Sequence, residues 1–443
     1  MKFKSLGIRM LTGRLLTRSG DQAWDFAVPL VLLKILPGEL RVAALYYFLV
    51  KLAHVILFPR LASVIDRVNR FSAAKIGIFV QLIGVLIGAG AIWTLGSLDS
   101  HESFLGSALP FFAMVVLVGG GILSSLGTSF MDIAIANDLV PSTFDQSELP
   151  GFNSRLRQID LFTEVAAPIA AGVLLLVESP NVPLLGFFLI ALWNVVSFVP
   201  EYLLLRSIFV SRPDLKLKTI EVSPQTRTPF LRKLTGGWRT FFREPVAPAV
   251  LAYALLWLSV LSPHGVLLTA FLKDGWRMPE WGIGLFRGLG AVFGLLSTLL
   301  FPRVIRKLGL IKGSQAFVVY QGATLLLALA CFFVGTPIAQ VGFLALILVS
   351  RVGLYGFSLG EMQIRQVGIN PAARGEVNGF ANALTGVATL GLYGAGTLLP
   401  STEHFGVLVT GSVVFVVLSA TLFTYWSIRI EWGIDGKKES TVA

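Results

Sequence analysis

Charge is scarce in this chain. Asp, Glu, Lys and Arg together make up 14% of its 443 residues, against roughly a quarter in soluble domains, so a soluble enzyme is excluded as a class. Cysteine is nearly missing: Cys331 stands alone in an apolar run, which excludes a disulfide framework and a thiolate metal cluster. No cleavable signal peptide is expected, because Gly13-Arg14 through Arg18-Ser19 interrupts the first apolar run. There is no catalytic constellation either, and no enzyme activity is expected.

What fills the chain is apolar. Hydrophobic residues reach 54%, enough for roughly a dozen spans of about 20 residues, and 45 glycines suit helices packed in a bilayer. Apolar runs between turn and charge signals predict helices over 7–36, 39–65, 71–95, 108–140, 151–177 and 182–208. A second set follows over 245–272, 279–308, 313–334, 339–369, 374–399 and 405–430. The only long polar stretch, 210–244, lies between the sets. The expected fold class is an all-α membrane protein of twelve transmembrane helices. They form two six-helix bundles, 1–208 and 245–443, joined by a cytoplasmic linker over 209–244. That is the plan of the major facilitator superfamily. Phe58-Pro59-Arg60 and Phe301-Pro302-Arg303 close equivalent helices of the two halves, as an internal duplication would have it. The loop from Ala62 to Arg70 resembles the superfamily signature between helices two and three, with Ala62 where that signature opens on glycine.

A net charge of +11 invites a nucleic-acid partner, and the placement of the charges argues against one. Lys2, Lys4 and Arg9, then Arg60, Arg67 and Arg70, the linker basics, Arg303, Arg306 and Lys307, and finally Lys437 and Lys438 fall on one side if the N-terminus is cytoplasmic. This is the positive-inside pattern. It predicts a multi-pass cell-membrane protein with both termini in the cytoplasm and the lipid bilayer as its partner.

Function is legible where ionisable groups interrupt the apolar runs. Each costs on the order of 2.5–3.5 kcal/mol at mid-helix on insertion scales. Thr17, Asp21 and Asp25 are spaced four apart on one face of helix one, a hard-oxygen stripe suited to a divalent cation. The competing reading is a structural cluster in which Arg14 and Arg18 neutralise the aspartates. Asn194, Ser197 and Glu201 share a face of helix six, and Pro200 among them predicts a kinked or unwound turn with free carbonyls near Phe198. Packing alone would also use such a proline. Ser262-Pro263-His264-Gly265 marks a second discontinuity in helix seven, where His264 could ligate a transition metal; His54 reads better as a packing residue. Asp66, Arg70, Asp138, Arg157, Asp160, Arg351 and Arg365 fall near cytoplasmic helix ends. There they are either gate contacts that form in one state and break in another or ordinary anchoring charges.

Several of these segments resemble the ferroportin family of iron exporters, and bacterial members in particular. The resemblance rests on Gly13 to Phe26 with Thr17, Asp21 and Asp25, on Asn153-Ser154-Arg155-Leu156-Arg157-Gln158-Ile159-Asp160, and on Asn194 to Tyr202. Arg351-Val352-Gly353-Leu354-Tyr355-Gly356-Phe357 and Arg374-Gly375-Glu376-Val377-Asn378-Gly379 complete it. The resemblance implies export of Fe²⁺, and often Co²⁺, from the cytoplasm. Asp21 would be the principal ligand, with Thr17, Asn194, Ser197 and the backbone of Phe198. It further implies a Ca²⁺ arrangement at Asp21, Gln81, Asn194 and Glu201. Gating roles would fall to Asp138 with Arg351, and to Asp66, Arg70, Asn153, Arg157 and Asp160. A monomer in a bacterial inner membrane would follow. The chain departs from vertebrate members at Asp25, Gly265 and Leu392, so a second metal site has His264 as its only local substitute, and regulation by a peptide hormone is not expected. The alternatives carried beside this reading are a proton-coupled exporter of a small organic compound, with Asp21 or Asp25 as proton carrier, and a non-transporting membrane protein.

Overall fold

A computed structural model describes residues 2–35, 40–97, 108–179, 182, 184–216, 238, 241–263, 265–399 and 404–434. His264 lies outside the described residues, so the histidine expected at the helix-seven break has no structural account.

Helix ends follow local chemistry. α1 spans Lys2–Ile35, α2 Leu40–Arg67 and α3 Arg70–Gly96. Asn69 separates α2 from α3 by accepting the Ser72 N–H at 2.8 Å, satisfying one of the donors a helix start leaves open. α4 spans Ala108–Asp132 and runs on through a π-helical stretch, Ile133–Leu139, into a final turn, Val140–Thr143. α5 is Leu149–Leu175 and α6 is Leu185–Ser211. The second half holds α7 (Ala247–Leu255), α8 (Val266–Ala270), α9 (Glu280–Leu308), α10 (Leu310–Val334), α11 (Pro337–Gly368), α12 (Arg374–Leu398) and α13 (Phe405–Ile434). Thr336 accepts the Ala339 N–H and Pro337 takes the first helical position of α11, where its missing N–H costs nothing.

The fold is all-α, and among the described residues nine helices are long and apolar enough to cross a membrane. α1 is not one of the nine; Arg14, Arg18, Asp21 and Asp25 occupy its central turns. The seventh apolar run is also missing from the set, because it is split into α7, a 3₁₀ turn at Leu256–Leu258 and α8. The interruption starts at Ser259, three residues before the Ser-Pro pair that signalled it.

Helix six corrects an expectation. Pro200 lies inside α6, yet α6 is helical from Leu185 to Ser211. Proline removes only the N–H that would bond the Val196 carbonyl, and transmembrane helices absorb such a loss. The carbonyl of Asn194 is occupied as well, accepting the Ser197 hydroxyl at 2.7 Å. The unwound turn that would have offered a Phe198 carbonyl as a ligand is not formed.

The chain forms two compact units. The first holds 1–145, 158–237 and 370–383, so it includes the opening turns of α12. The second holds 146–157, 238–369 and 384–443, so it includes the opening turns of α5. In the first unit, α3 and α4 pack through glycine: a Cβ on Gly84 would meet the Ser124 nitrogen at 2.3 Å, and one on Gly127 would meet the Gln81 nitrogen at 2.5 Å. Any side chain there would force the backbones apart. Trp24 of α1 and Phe187 of α6 lie 5.1 Å apart, centroid to centroid, within a buried apolar cluster to which each of α1 to α6 contributes.

Candidate metal site

Asp21, Thr17, Gln81, Asn194, Ser197, Phe198 and Glu201 are all buried in the first unit. Three packing relations bring them together. Gly20 lets α1 lie against α6, since a Cβ there would sit 3.2 Å from the Asn194 Cα and 3.4 Å from the Ser197 Oγ. Two turns further along, a Cβ on Gly13 would reach the Glu201 Cγ at 3.9 Å. The glycine seam of α3 and α4 then presents Gln81 and Thr128 to Asp21 from the other side.

The Gln81 side-chain amide donates to Asp21 Oδ1, and the Thr128 hydroxyl donates to Oδ2 at 3.4 Å. Thr17 donates to the Gly13 carbonyl at 3.0 Å, leaving its oxygen lone pairs free to accept. Around this core, Gln81 Oε1, Asn194 Oδ1 and Nδ2, and Glu201 Oε2 are buried without a hydrogen-bond partner. Buried polar atoms are normally satisfied, and each one left alone costs about 1–3 kcal/mol. Unpartnered oxygens from α3 and α6 beside a carboxylate from α1 form a donor set for a hard or borderline divalent cation. Among the described residues, no group of three or more His, Cys, Asp or Glu could hold a metal. A cation here would therefore draw mainly on amide and hydroxyl oxygen, with Asp21 as the charged anchor.

The arginines of helix one are engaged elsewhere. Arg14 grips Asp160 as a fork, Nε to Oδ1 at 2.9 Å and Nη2 to Oδ2 at 3.0 Å, and also reaches Asp132 Oδ1. Arg18 donates to Asp132 Oδ2 at 2.6 Å and lies 3.4 Å from Asp160 Oδ1. The ion-pair cluster foreseen as the alternative reading exists, but it neutralises Asp132 and Asp160. Among the described residues, neither arginine nor any lysine pairs with Asp21.

Asp25 does not join this set. It is exposed, and its turn is fixed by the Tyr47 hydroxyl donating to its backbone carbonyl. His54 is buried, stacked on Phe58 at 4.7 Å and 3.0 Å from Ser125 Oγ through Nδ1, as befits a packing residue.

The residues foreseen as gates make specific contacts within the units. In the first, Asp66 accepts the Gly375 N–H at 2.7 Å and the Glu376 N–H at 2.8 Å. Its carboxylate thus receives the open donors of the α12 N-terminus. Asp138, in the π-helical stretch, bonds Arg70 at 3.2 Å and lies 3.7 Å from Arg374. Asp160 belongs to the arginine cluster of α1. In the second unit, Asn153 and Gln366 exchange amide hydrogen bonds at 2.7 and 3.2 Å, and the Arg157 guanidinium stacks 4.8 Å from the Tyr355 ring. Asp138 and Arg351 belong to different units; within the second, Arg351 donates to the Leu261 carbonyl at 2.6 Å, satisfying a backbone group freed by the break after α7. Arg374 and Gln366 were missed as the partners of Asp138 and Asn153. Asp132 was missed too, although a carboxylate inside the fourth apolar run satisfies the rule that flagged helix one.

A family model described as Ferroportin1 (FPN1) matches residues 4–416. Ferreportin of Bdellovibrio bacteriovorus is 48% identical over 435 residues, covering 97% of each chain. Two solved structures of a bacterial homologue of iron transporter ferroportin in the outward-facing state, one with soaked iron, align with a TM-score of 0.86 at 46% identity. Each covers 95% of this chain and 99% of the other. The inward-facing structure of such a homologue aligns at 0.63, again at 46% identity, over 95% and 98%. The outward conformation of FucP, a major facilitator superfamily transporter, aligns at 0.61 over 96% and 98% with 12% identity, a likeness of fold alone.

Proposed function

The chain belongs to the ferroportin family of membrane metal transporters, and from that premise we propose that it exports divalent transition metal, Fe²⁺ and also Co²⁺, from the cytoplasm by alternating access. The observation that carries the reading is the Asp21 carboxylate: buried, bonded by Gln81 and Thr128, and without a cationic partner among the described residues. A buried carboxylate without a countercharge is costly, and a transported cation supplies that charge. Relatives solved in outward- and inward-facing states and with soaked iron support both the cargo and the cycle.

Metal enters from the cytoplasm and meets Asp21, with Thr17, Asn194 and Ser197 completing an oxygen-rich shell that replaces part of the hydration sphere. Exit requires the cytoplasmic contacts to be formed: Asp66 on the α12 N-terminus, Arg70 and Arg374 on Asp138, Asn153 on Gln366, and Arg157 on Tyr355. Return requires them to break, and charged and amide pairs suit this because water can solvate both partners once apart. Ca²⁺ acts as a modulator at Asp21, Gln81, Asn194 and Glu201, where Gln81 Oε1 and Glu201 Oε2 are unpartnered. The working form is a monomer in a bacterial inner membrane with cytoplasmic termini, its bundles 1–208 and 245–443 joined through 209–244.

The test is flux into proteoliposomes. Co²⁺ and Fe²⁺ should cross in a protein-dependent manner. Proton-driven movement of organic compounds with no metal flux would instead establish the proton-coupled exporter, and the absence of any flux would leave a non-transporting membrane protein.

A further inference from the structure

Asp132 lies at the end of α4 and touches no candidate ligand, yet it holds the cation nearest to the site. Arg18 stands three residues before Asp21 on α1, so the two side chains are neighbours on one helical face, and the guanidinium acts electrostatically on that carboxylate. Left to itself, Arg18 would pair with Asp21, because a charge-assisted arginine–carboxylate bond is among the strongest polar contacts available. The structure shows it turned away, its Nη2 held 2.6 Å from Asp132 Oδ2 and its Nε 3.4 Å from Asp160 Oδ1. Asp160 is already gripped by both Nε and Nη2 of Arg14. The short contact that detains Arg18 is therefore the one from Asp132.

We propose that Asp132 is a positioning residue for transport: it holds Arg18 off Asp21 and so keeps the carboxylate available to the metal. The inference rests on the reading of Asp21 as the metal anchor. Arg14 is the lesser threat, since it is two turns from Asp21 and keeps its fork to Asp160 when Asp132 is lost. Neutralising Asp132 releases the Arg18 Nη2, and with Asp160 already taken by the Arg14 fork, Asp21 is the carboxylate on its own helical face left for it to pair with. The resulting intrahelical pair competes with the cation for the same two oxygens.

The experiment is Co²⁺ titration of detergent-purified, monodisperse protein, with Asp21→Ala as reference. Asp132→Asn should weaken Co²⁺ binding roughly tenfold or more, by the strength of the competing pair. Arg18→Gln should bind at least as tightly as the wild type. The double variant Asp132→Asn/Arg18→Gln should match Arg18→Gln within about twofold, since no competitor remains to be detained. That comparison stands even if Asp132→Asn alone does not fold. Binding by Asp132→Asn equal to wild type, weakened binding by Arg18→Gln, or a double variant weaker than Arg18→Gln would each overturn the proposal. If Asp21→Ala itself binds Co²⁺ like the wild type, it is the reading of Asp21 that fails.

Discussion

The side-chain amide of Gln81 on α3 donates to the carboxylate of Asp21 on α1, where a membrane aspartate would ordinarily be matched by a lysine or arginine. An amide orients the carboxylate without cancelling its charge, and it keeps a free oxygen of its own. The pair is thus both a support for Asp21 and half of a donor set. Gln81→Leu removes the support and the oxygen together. It is expected to lower Co²⁺ affinity by about tenfold, the worth of one charge-assisted hydrogen bond, as read by isothermal titration.

Gly20 sets how closely α1 approaches the donors of α6. Gly20→Ala would place a methyl 3.2 Å from the Asn194 Cα and 3.3 Å from its Cγ, so α6 must give by a few tenths of an ångström. Overpacking of this kind costs about 1–3 kcal/mol. The expected outcome is a folded protein, by melting temperature within a few degrees of wild type, whose Co²⁺ affinity falls several-fold.

Much of the fold was legible in the sequence because hydrophobic runs and their turn signals are local features. Asn69 and the Thr336-Pro337 pair start helices by rules that need no tertiary contact. The stripe of Thr17 and Asp21 and that of Asn194, Ser197 and Glu201 were readable for the same reason. Two things were not. The partners of Arg14 and Arg18 lie on α4 and α5, more than a hundred residues away, and helical spacing on α1 cannot choose between near and distant carboxylates. Pro200 looked like a break because its local chemistry forbids one hydrogen bond, but continuity of α6 is decided by the helices packed on it.

That correction is itself testable. With α6 helical through Pro200, no unwound turn is there to supply the Phe198 carbonyl, so Pro200→Ala is expected to retain Co²⁺ flux within about twofold and to melt no lower than wild type, given the helix propensity gained. Loss of flux with unchanged stability would show that a distorted turn at Pro200 belongs to the cycle.

Asp66 gives the α12 N-terminus its cap. Removing an N-cap acceptor costs about 0.5–2 kcal/mol, and here the loss falls only on states in which the Gly375 and Glu376 N–H groups are bonded to it. Asp66→Ala is therefore expected to shift the population away from this conformation by roughly tenfold, read as increased labelling of a cysteine placed at Ser142 by a membrane-impermeant reagent from the cytoplasmic side. Asp66→Asn, which keeps an acceptor, should shift it less.

Calcium separates Glu201 from the rest of the donor set. Glu201→Gln removes a charged oxygen that a hard, high-coordination cation needs more than a transition metal does. Ca²⁺ affinity is expected to fall by more than about tenfold while Co²⁺ affinity changes by less than about threefold. Equal losses for both ions would merge the two arrangements into one.

The claim most directly at stake is that one buried carboxylate on α1 carries the cargo. Co²⁺ influx into proteoliposomes should be robust for the wild type and reduced by at least about tenfold for Asp21→Ala, with Asp21→Ala monodisperse and melting near the wild type. Undiminished influx through Asp21→Ala would contradict the account.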